Sequence, residues 1–217
     1  MLSFADRADA GRQLAPLLEK FRAENPLVLG LARGGVVVAA EVAAALGAPL
    51  DVLVARKVGV PQHEELAMGA VARGTSWLNE RLIVQLGIPP PAVDRQVAAE
   101  THEVERREAL YREGRPALPV KGRTVILVDD GIATGATAVA GVRALRQLGA
   151  RRVVLAAPVC SSEGAERVGR EAHAVVCAIR PPDFFAVSQA YESFPQLRDD
   201  EVCRSLEAAG SGAPQRR

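Results

Sequence analysis

Two adjacent aspartates, followed by a run of small and hydroxylated residues, are the part of this 217-residue chain best suited to chemistry. The stretch reads Val125-Ile126-Leu127-Val128-Asp129-Asp130-Gly131-Ile132-Ala133-Thr134-Gly135-Ala136-Thr137. Its apolar start predicts a buried strand, and the acids stand at the carboxyl end of that strand. In open α/β sheets, ligands bind outside the carboxyl ends of the strands. Gly131, Ala133, Gly135 and Ala136 let backbone N–H groups approach an anion closely, and Thr134 and Thr137 add hydroxyl donors. A helix opening here contributes partial positive charge worth about 0.3–1 kcal/mol at exposed sites. The two carboxylates cannot hold a phosphate, but ionised carboxylates accept strong hydrogen bonds from sugar hydroxyls. A phosphate cradle beside paired acids therefore suits a ribose phosphate, with Mg²⁺ as the expected cofactor that eases the local charge conflict. Each fragment alone is also an ordinary turn or helix entry; their order along one segment carries the reading.

A second segment, Leu27 to Gly35, repeats the theme: an apolar run ends in Leu31-Ala32-Arg33-Gly34-Gly35. Arg33 offers five donors, and Gly34 and Gly35 expose N–H groups at a helix start. Gly30 to Gly35 spells G-x-x-x-G-G, which is neither the dinucleotide fingerprint nor a P-loop. A third basic feature, Arg56-Lys57, is expected to end the second apolar strand, Leu50 to Val54.

The Val125–Thr137 segment resembles the signature of type I phosphoribosyltransferases for 5-phosphoribosyl-1-pyrophosphate (PRPP). Both show an apolar strand, two acids and a Thr-Gly-x-Thr loop. The resemblance implies that Asp129 and Asp130 bind the ribose 2′ and 3′ hydroxyls, that Ala133, Thr134, Gly135, Ala136 and Thr137 receive the 5′-phosphate, and that Gly131 and Ile132 between them also line the PRPP site. Ala136 departs from the Gly or Ser of many members, and alanine still fits. The resemblance also makes Arg33, Gly34 and Gly35 the pyrophosphate loop, with a cis peptide expected near Ala32–Arg33, and puts Lys57 near the pyrophosphate. The catalytic set implied is Arg33, Lys57, Asp129 and Asp130; Mg²⁺ arrives on PRPP near the aspartates rather than on direct protein ligands. Lys57-Val58-Gly59-Val60-Pro61 and Gly69-Ala70-Val71 look like the pattern of a poorly defined branch of the family, in which a polar stretch from Gly59 to Glu65 suits a mobile loop. Such a protein transfers phosphoribose to a nitrogenous acceptor and releases pyrophosphate. The acceptor is not legible in the chain. A non-catalytic sensor of PRPP or a nucleotide is the alternative, and homodimers are common in the family.

The positioning elements follow from periodicity. Strands are expected at Leu27–Leu31, Leu50–Val54, Thr124–Val128, Arg152–Val159 and Ala174–Ile179, apolar throughout rather than alternating. Helices are expected at Phe4–Glu24, Val36–Leu46, Ala136–Leu148 and from Ser161 to Arg170. Such alternation predicts an α/β fold: a parallel open sheet with helices on both faces. Residues 1–217 are read as one domain with a helical insertion at roughly 79–114 and a frayed tail at roughly 210–217. Ala67–Ala72 and Ser76–Leu78 suit further strands, and the charged Ala92–Glu113 helix is expected to be exposed on most of its face. Phe184, Phe185, Tyr191 and Phe194 form the densest aromatic cluster; they suit stacking on a flat acceptor or packing of the C-terminal segment on the sheet.

Composition narrows the partners. The net charge is +1 and basic residues occur only as scattered doublets, so no nucleic acid is expected, since that affinity needs concentrated cations. No apolar run reaches the ~18 residues of a membrane span, and none near the amino terminus suits a secretion signal. A cytoplasmic location is therefore expected. Cys160, Cys177 and Cys203 lack metal-ligand spacing and are expected to be inert thiols.

Overall fold

The computed structural model describes residues 3–211. The first half of the chain runs α1 (Arg7–Leu18), a 3-10 turn (Glu19–Glu24), β1 (Leu27–Leu31), α2 (Gly34–Leu46), β2 (Leu50–Leu53), β3 (Ala55–Val60), β4 (His63–Ala72) and β5 (Thr75–Leu78). It continues with α3 (Glu80–Gln85), α4 (Pro90–Arg112), β6 (Thr124–Val128), α5 (Ala136–Gln147), β7 (Arg152–Val159), α6 (Ser162–Gly169), β8 (Ala174–Ile179), a 3-10 turn (Val187–Ala190) and α7 (Asp199–Ser211).

The apolar runs pair into a five-stranded parallel sheet in the order β2-β1-β6-β7-β8. Every residue of β1 and β6 is buried, as strands covered on both faces require. Side-chain alternation divides the cover. Val28, Ile126, Val128, Val154 and Ala156 meet Leu14, Leu18, Val38 and Val42 of α1 and α2. Leu29, Val125, Leu127, Val153 and Leu155 meet Val142, Leu145 and Val168 of α5 and α6. From β1 the chain passes to β2 on one side, while β6 lies on the other. Strand order reverses there, and a crevice opens between the loops that follow β1 and β6.

The region from Ala55 onward differs from the sequence reading. Arg56 and Lys57 do not end a strand of the main sheet. They belong to β3, part of a separate antiparallel sheet ordered β3-β4-β5. The Gly59–Glu65 stretch is built as a hairpin: Val60 pairs with His63 across a two-residue turn with Gln62 at φ 67°. Val58, Val60, Met68 and Val71 from this sheet form an apolar cluster with Val93, Val104, Tyr111, Val202 and Leu206. The charged helix α4 meets that cluster along a narrow stripe, burying Val93, Val104, Glu108, Tyr111 and Arg112 and leaving its other residues exposed or half-exposed. Charged residues sit inside because they satisfy one another. Arg112 donates through Nε to Asp51 (2.9 Å), through Nη1 to Glu108 (2.7 Å) and through Nη2 to the Val52 carbonyl (2.6 Å).

The long N-terminal helix is α1 followed by the 3-10 turn, with Asp6 accepting from the Asp9 N–H as its cap. At the other end, helix α7 runs to Ser211, into the expected tail; residues 212–217 of that tail lie outside the described residues.

Candidate functional site

The geometry starts from the end of β6. The Asp129 N–H bonds to the Ala156 carbonyl (3.1 Å), so the sheet ladder reaches the first acid. The next N–H, that of Asp130, turns back to Asp129 Oδ1 (2.9 Å). Asp130 is gripped from two further directions. Its Oδ2 accepts from Arg7 Nε at 2.7 Å, and its carbonyl accepts from the Tyr191 hydroxyl at 2.5 Å. Gly34 is required here by close approach. A Cβ at that position would stand 1.7 Å from Asp130 Oδ2, so the first turn of α2 touches the acid.

Burial pushes Asp129 well above the ordinary carboxylate range, and the neighbouring charge of Asp130 pushes the same way. Burial also raises Asp130, against the opposing pull of Arg7. Two acids with insufficient counter-charge make a pair that gains from hydroxyl donors or a cation.

The loop after the acids is tied to the next strand. Ile132 is buried, donates to the Val159 carbonyl (2.9 Å) and accepts from the Ser161 N–H (2.8 Å). Ser161 Oγ donates to the Ala133 carbonyl (2.5 Å) and caps α6 by accepting from the Gly164 N–H (2.8 Å). With both flanks fixed, Ala133 and Thr134 are left exposed at the tip. Gly135 turns the chain into α5 with φ 74°, a left-handed conformation that favours glycine, and no side chain caps the helix. The first turn of α5 thus begins at the same end of the sheet as the acids, with the Ala136 N–H donating to Thr134 Oγ1 at 3.5 Å.

The peptide bond Ala32–Arg33 is cis, at the position expected from the sequence. Arg33 precedes the first turn of α2, and its side chain lies 3.9 Å from Asp199 of α7. Asp199 also accepts from the Tyr111 hydroxyl at 2.6 Å. Gly34 and Asp130 are therefore brought into contact, and Arg33 stands at the mouth of the same loop. Lys57 is exposed on β3, opposite Ala70 of β4 in the second sheet.

Three contributors were missed in the sequence: Arg7, Tyr191 as a hydroxyl donor, and Asp199. Arg7 carries no local mark, because its partner is 123 residues away. Asp199 could have been suspected, since Asp199-Asp200-Glu201 begin a helix whose Val202 and Leu206 share a face. The aromatic cluster splits. Tyr191 and Phe194 pack together with centroids 4.8 Å apart and join Phe4, which is packing. Phe184, with Val159, Arg180, Pro181, Asp183 and Ala186, lines an open pocket of about 430 Å³ beyond β7 and β8. Gly131 lies against Val187 of the segment that follows this pocket, so pocket and acids are neighbours.

Comparison with known proteins agrees with this arrangement. A family model described as phosphoribosyl transferase domain matches residues 7–193. A protein of Mycobacterium tuberculosis (strain H37Rv), named as a candidate phosphoribosyl transferase, is 46% identical over 210 residues, covering 96% of this chain and 47% of its own length. The chain thus spans about half the length of the curated relatives it matches. Among solved structures, TT1426 from Thermus thermophilus is 43% identical with a TM-score of 0.83, over 94% of this chain and 97% of that one. A hypothetical protein from Neisseria gonorrhoeae with bound ppGpp shares the fold at 14% identity and a TM-score of 0.50, over 95% of this chain and 96% of its own. A match over that span, on a chain whose paired acids and uncapped helix share the end of one parallel sheet, means that this chain belongs to the phosphoribosyl transferase domain family.

Proposed function

We propose that the chain binds PRPP across the loops following β1 and β6 and transfers its phosphoribosyl group to a nitrogenous acceptor, with release of pyrophosphate. The observation that carries this reading is the half-buried pair Asp129–Asp130, short of counter-charge, set beside the start of α5 and touching the first turn of α2. In this reading the aspartates accept the ribose 2′ and 3′ hydroxyls. Gly131 through Thr137 take the 5′-phosphate on main-chain amides and threonine hydroxyls, and Arg33, Gly34 and Gly35 take the pyrophosphate.

The reaction asks little covalent chemistry of the protein. The acceptor nitrogen forms a bond to ribose C1 as the C1–oxygen bond breaks, and the electron pair leaves on pyrophosphate. Holding the two reactants in line supplies the largest share of the acceleration. Arg33 and the amides at the start of α2 stabilise the charge that gathers on the leaving group. Lys57, exposed on β3, adds a further cation for that charge in this reading.

Mg²⁺ fits the acids. Among the described residues no three His, Cys, Asp or Glu side chains converge as a ligand set. Two raised carboxyls fit a hard cation that keeps most of its ligands on the substrate's own oxygens. When bound, the ion neutralises pyrophosphate charge. The pocket lined by Phe184, Arg180 and Asp183 is the proposed acceptor side, with a ring face and hydrogen-bonding groups that suit a flat nitrogenous base.

The test is calorimetric titration with PRPP and Mg²⁺, beside a pyrophosphate-release assay over purine, pyrimidine and orotate acceptors. Wild type is expected to bind PRPP, and Asp129→Asn with Asp130→Asn to lose that binding while staying folded. Unchanged affinity in the folded double variant refutes the assignment. PRPP binding without pyrophosphate release across the whole panel favours the sensor.

A further inference from the structure

We infer that Arg7, on the first helix, is a positioning residue of the ribose site: its guanidinium fixes the Asp130 carboxylate and supplies the permanent positive charge that lets two adjacent acids face an anionic sugar phosphate. The inference rests on the proposed PRPP reading and extends it to a segment that the binding motif does not include.

The geometry is that of a clamped cation rather than a chance surface pair. Arg7 is 8% exposed. Its Nε donates to Asp130 Oδ2 at 2.7 Å, its Nη1 donates to the Pro195 carbonyl at 2.8 Å, and its guanidinium carbon lies 3.8 Å from the centroid of the Phe194 ring. Two chain segments therefore dictate where the charge sits. A planar fork stacked on a ring and bonded at two edges has lost its rotamer freedom before any ligand arrives. The same point touches the start of α2, because a Cβ on Gly34 would fall 3.0 Å from Arg7 Nε as well as on Asp130 Oδ2. Arg7, the acid and the proposed pyrophosphate loop thus meet at one place.

The charge matters because PRPP is strongly anionic and Asp129–Asp130 faces it with like charge. An opposite charge within a few ångströms favours the ionised form of an acid, and the ionised form is the one that accepts two hydroxyl hydrogen bonds. The charged and titratable groups facing Asp130 are Arg7 from α1, Asp129 from β6 and the Tyr191 hydroxyl, while α2 presents Gly34. Arg7 is the cation in that set. Without it, burial and the neighbouring acid both act to keep the Asp130 proton on.

The experiment titrates wild type, Arg7→Gln and Arg7→Lys with ribose 5-phosphate and with PRPP–Mg²⁺, at mildly acidic, neutral and mildly alkaline pH, with thermal unfolding recorded for each. Arg7→Gln is expected to bind ribose 5-phosphate on the order of tenfold to a hundredfold more weakly at neutral pH, the loss of a charge-assisted contact. That deficit narrows as pH rises and the acids ionise unaided, and Arg7→Lys recovers most of the affinity. Arg7→Gln binding as wild type overturns the inference. So does a deficit equal at every pH that tracks lost stability, since a purely structural contact predicts it. Should Arg7→Gln fail to fold, Arg7→Met, a neutral side chain of similar length, decides: a deficit that narrows as pH rises supports the role, and a deficit equal at every pH overturns it. Wild type that binds neither ligand overturns the PRPP reading itself, whereas wild-type binding with an indifferent Arg7 removes only this residue.

Discussion

Arg7 and Arg112 are both buried arginines that hold aspartates of the same sheet, one after the central strand β6 and one on the edge strand β2, yet their surroundings differ in what they leave undone. Around Arg112 the groups close on themselves. Asp51 accepts from Arg112 (2.9 Å), the Leu118 N–H (2.8 Å) and the Val52 N–H (2.7 Å), while Glu108 takes Nη1 of the same arginine (2.7 Å). Around Arg7, one guanidinium serves two neighbouring carboxyls that burial has pushed up. The first cluster joins α4 to β2 and has no reason to receive a ligand. The second is short of positive charge and donors, the want that the proposed Mg²⁺ and sugar would meet. Burial of charge alone therefore does not mark a site; incomplete neutralisation does.

The comparison breaks most visibly at Arg112. Arg112→Ala leaves Asp51 and Glu108 buried without their cation and is expected to cost about 3–5 kcal/mol of stability. Urea unfolding measures that loss, and PRPP affinity of the folded protein should change by less than about twofold, because the cluster lies outside the proposed site. A collapse of affinity at preserved stability would erase the distinction. The aspartate pair should behave in the opposite way. Asp129→Asn with Asp130→Asn is expected to weaken PRPP binding at least about a hundredfold while stability holds or rises by ~1 kcal/mol, since it removes buried like charge.

Gly34→Ala sits between the two. The added methyl displaces the Asp130 carboxylate or the start of α2, for an expected loss of about 1–3 kcal/mol in stability together with weaker PRPP binding. A smaller effect is due at Tyr191→Phe, which deletes the donor to the Asp130 carbonyl and should cost about 1 kcal/mol; thermal melts alongside PRPP titration resolve it.

The gentlest test is pH. Folding raises Asp129 and Asp130, so the folded chain keeps protons that the unfolded chain loses near pH 4. The contribution of the pair to stability is therefore fully present in acid and falls as pH rises through the raised range. Denaturation midpoints over that window should show a downward slope that the double Asn variant flattens. A wild-type slope of the opposite sign would show that Arg7 over-compensates the pair.

Much of this was legible because it is local. Leu27–Leu31, Thr124–Val128, Arg152–Val159 and Ala174–Ile179 are strands with the bounds their apolar runs predict, since a strand covered on both faces leaves an unbroken apolar signature. The paired acids, the loop of small residues and the helix start were readable for the same reason: thirteen consecutive residues carry the whole arrangement. The β3–β5 sheet was harder, because Ala55–Val60 mixes Arg56 and Lys57 with glycine and valine and pairs only across a turn. The buried stripe of α4 was not legible because Arg112 is satisfied by partners on β2, which periodicity does not encode.

The sequence by itself determined the parallel sheet and the crevice end at which the acids stand. Only the tertiary structure decided that Arg7 and Tyr191 hold Asp130, that Asp199 lies beside Arg33, and that Lys57 belongs to another sheet. The physical reason is range. Apolar periodicity and helix-entry chemistry act over a few residues, whereas an ion pair between positions 7 and 130 exists only after the chain has brought α1, β6 and the C-terminal segment together.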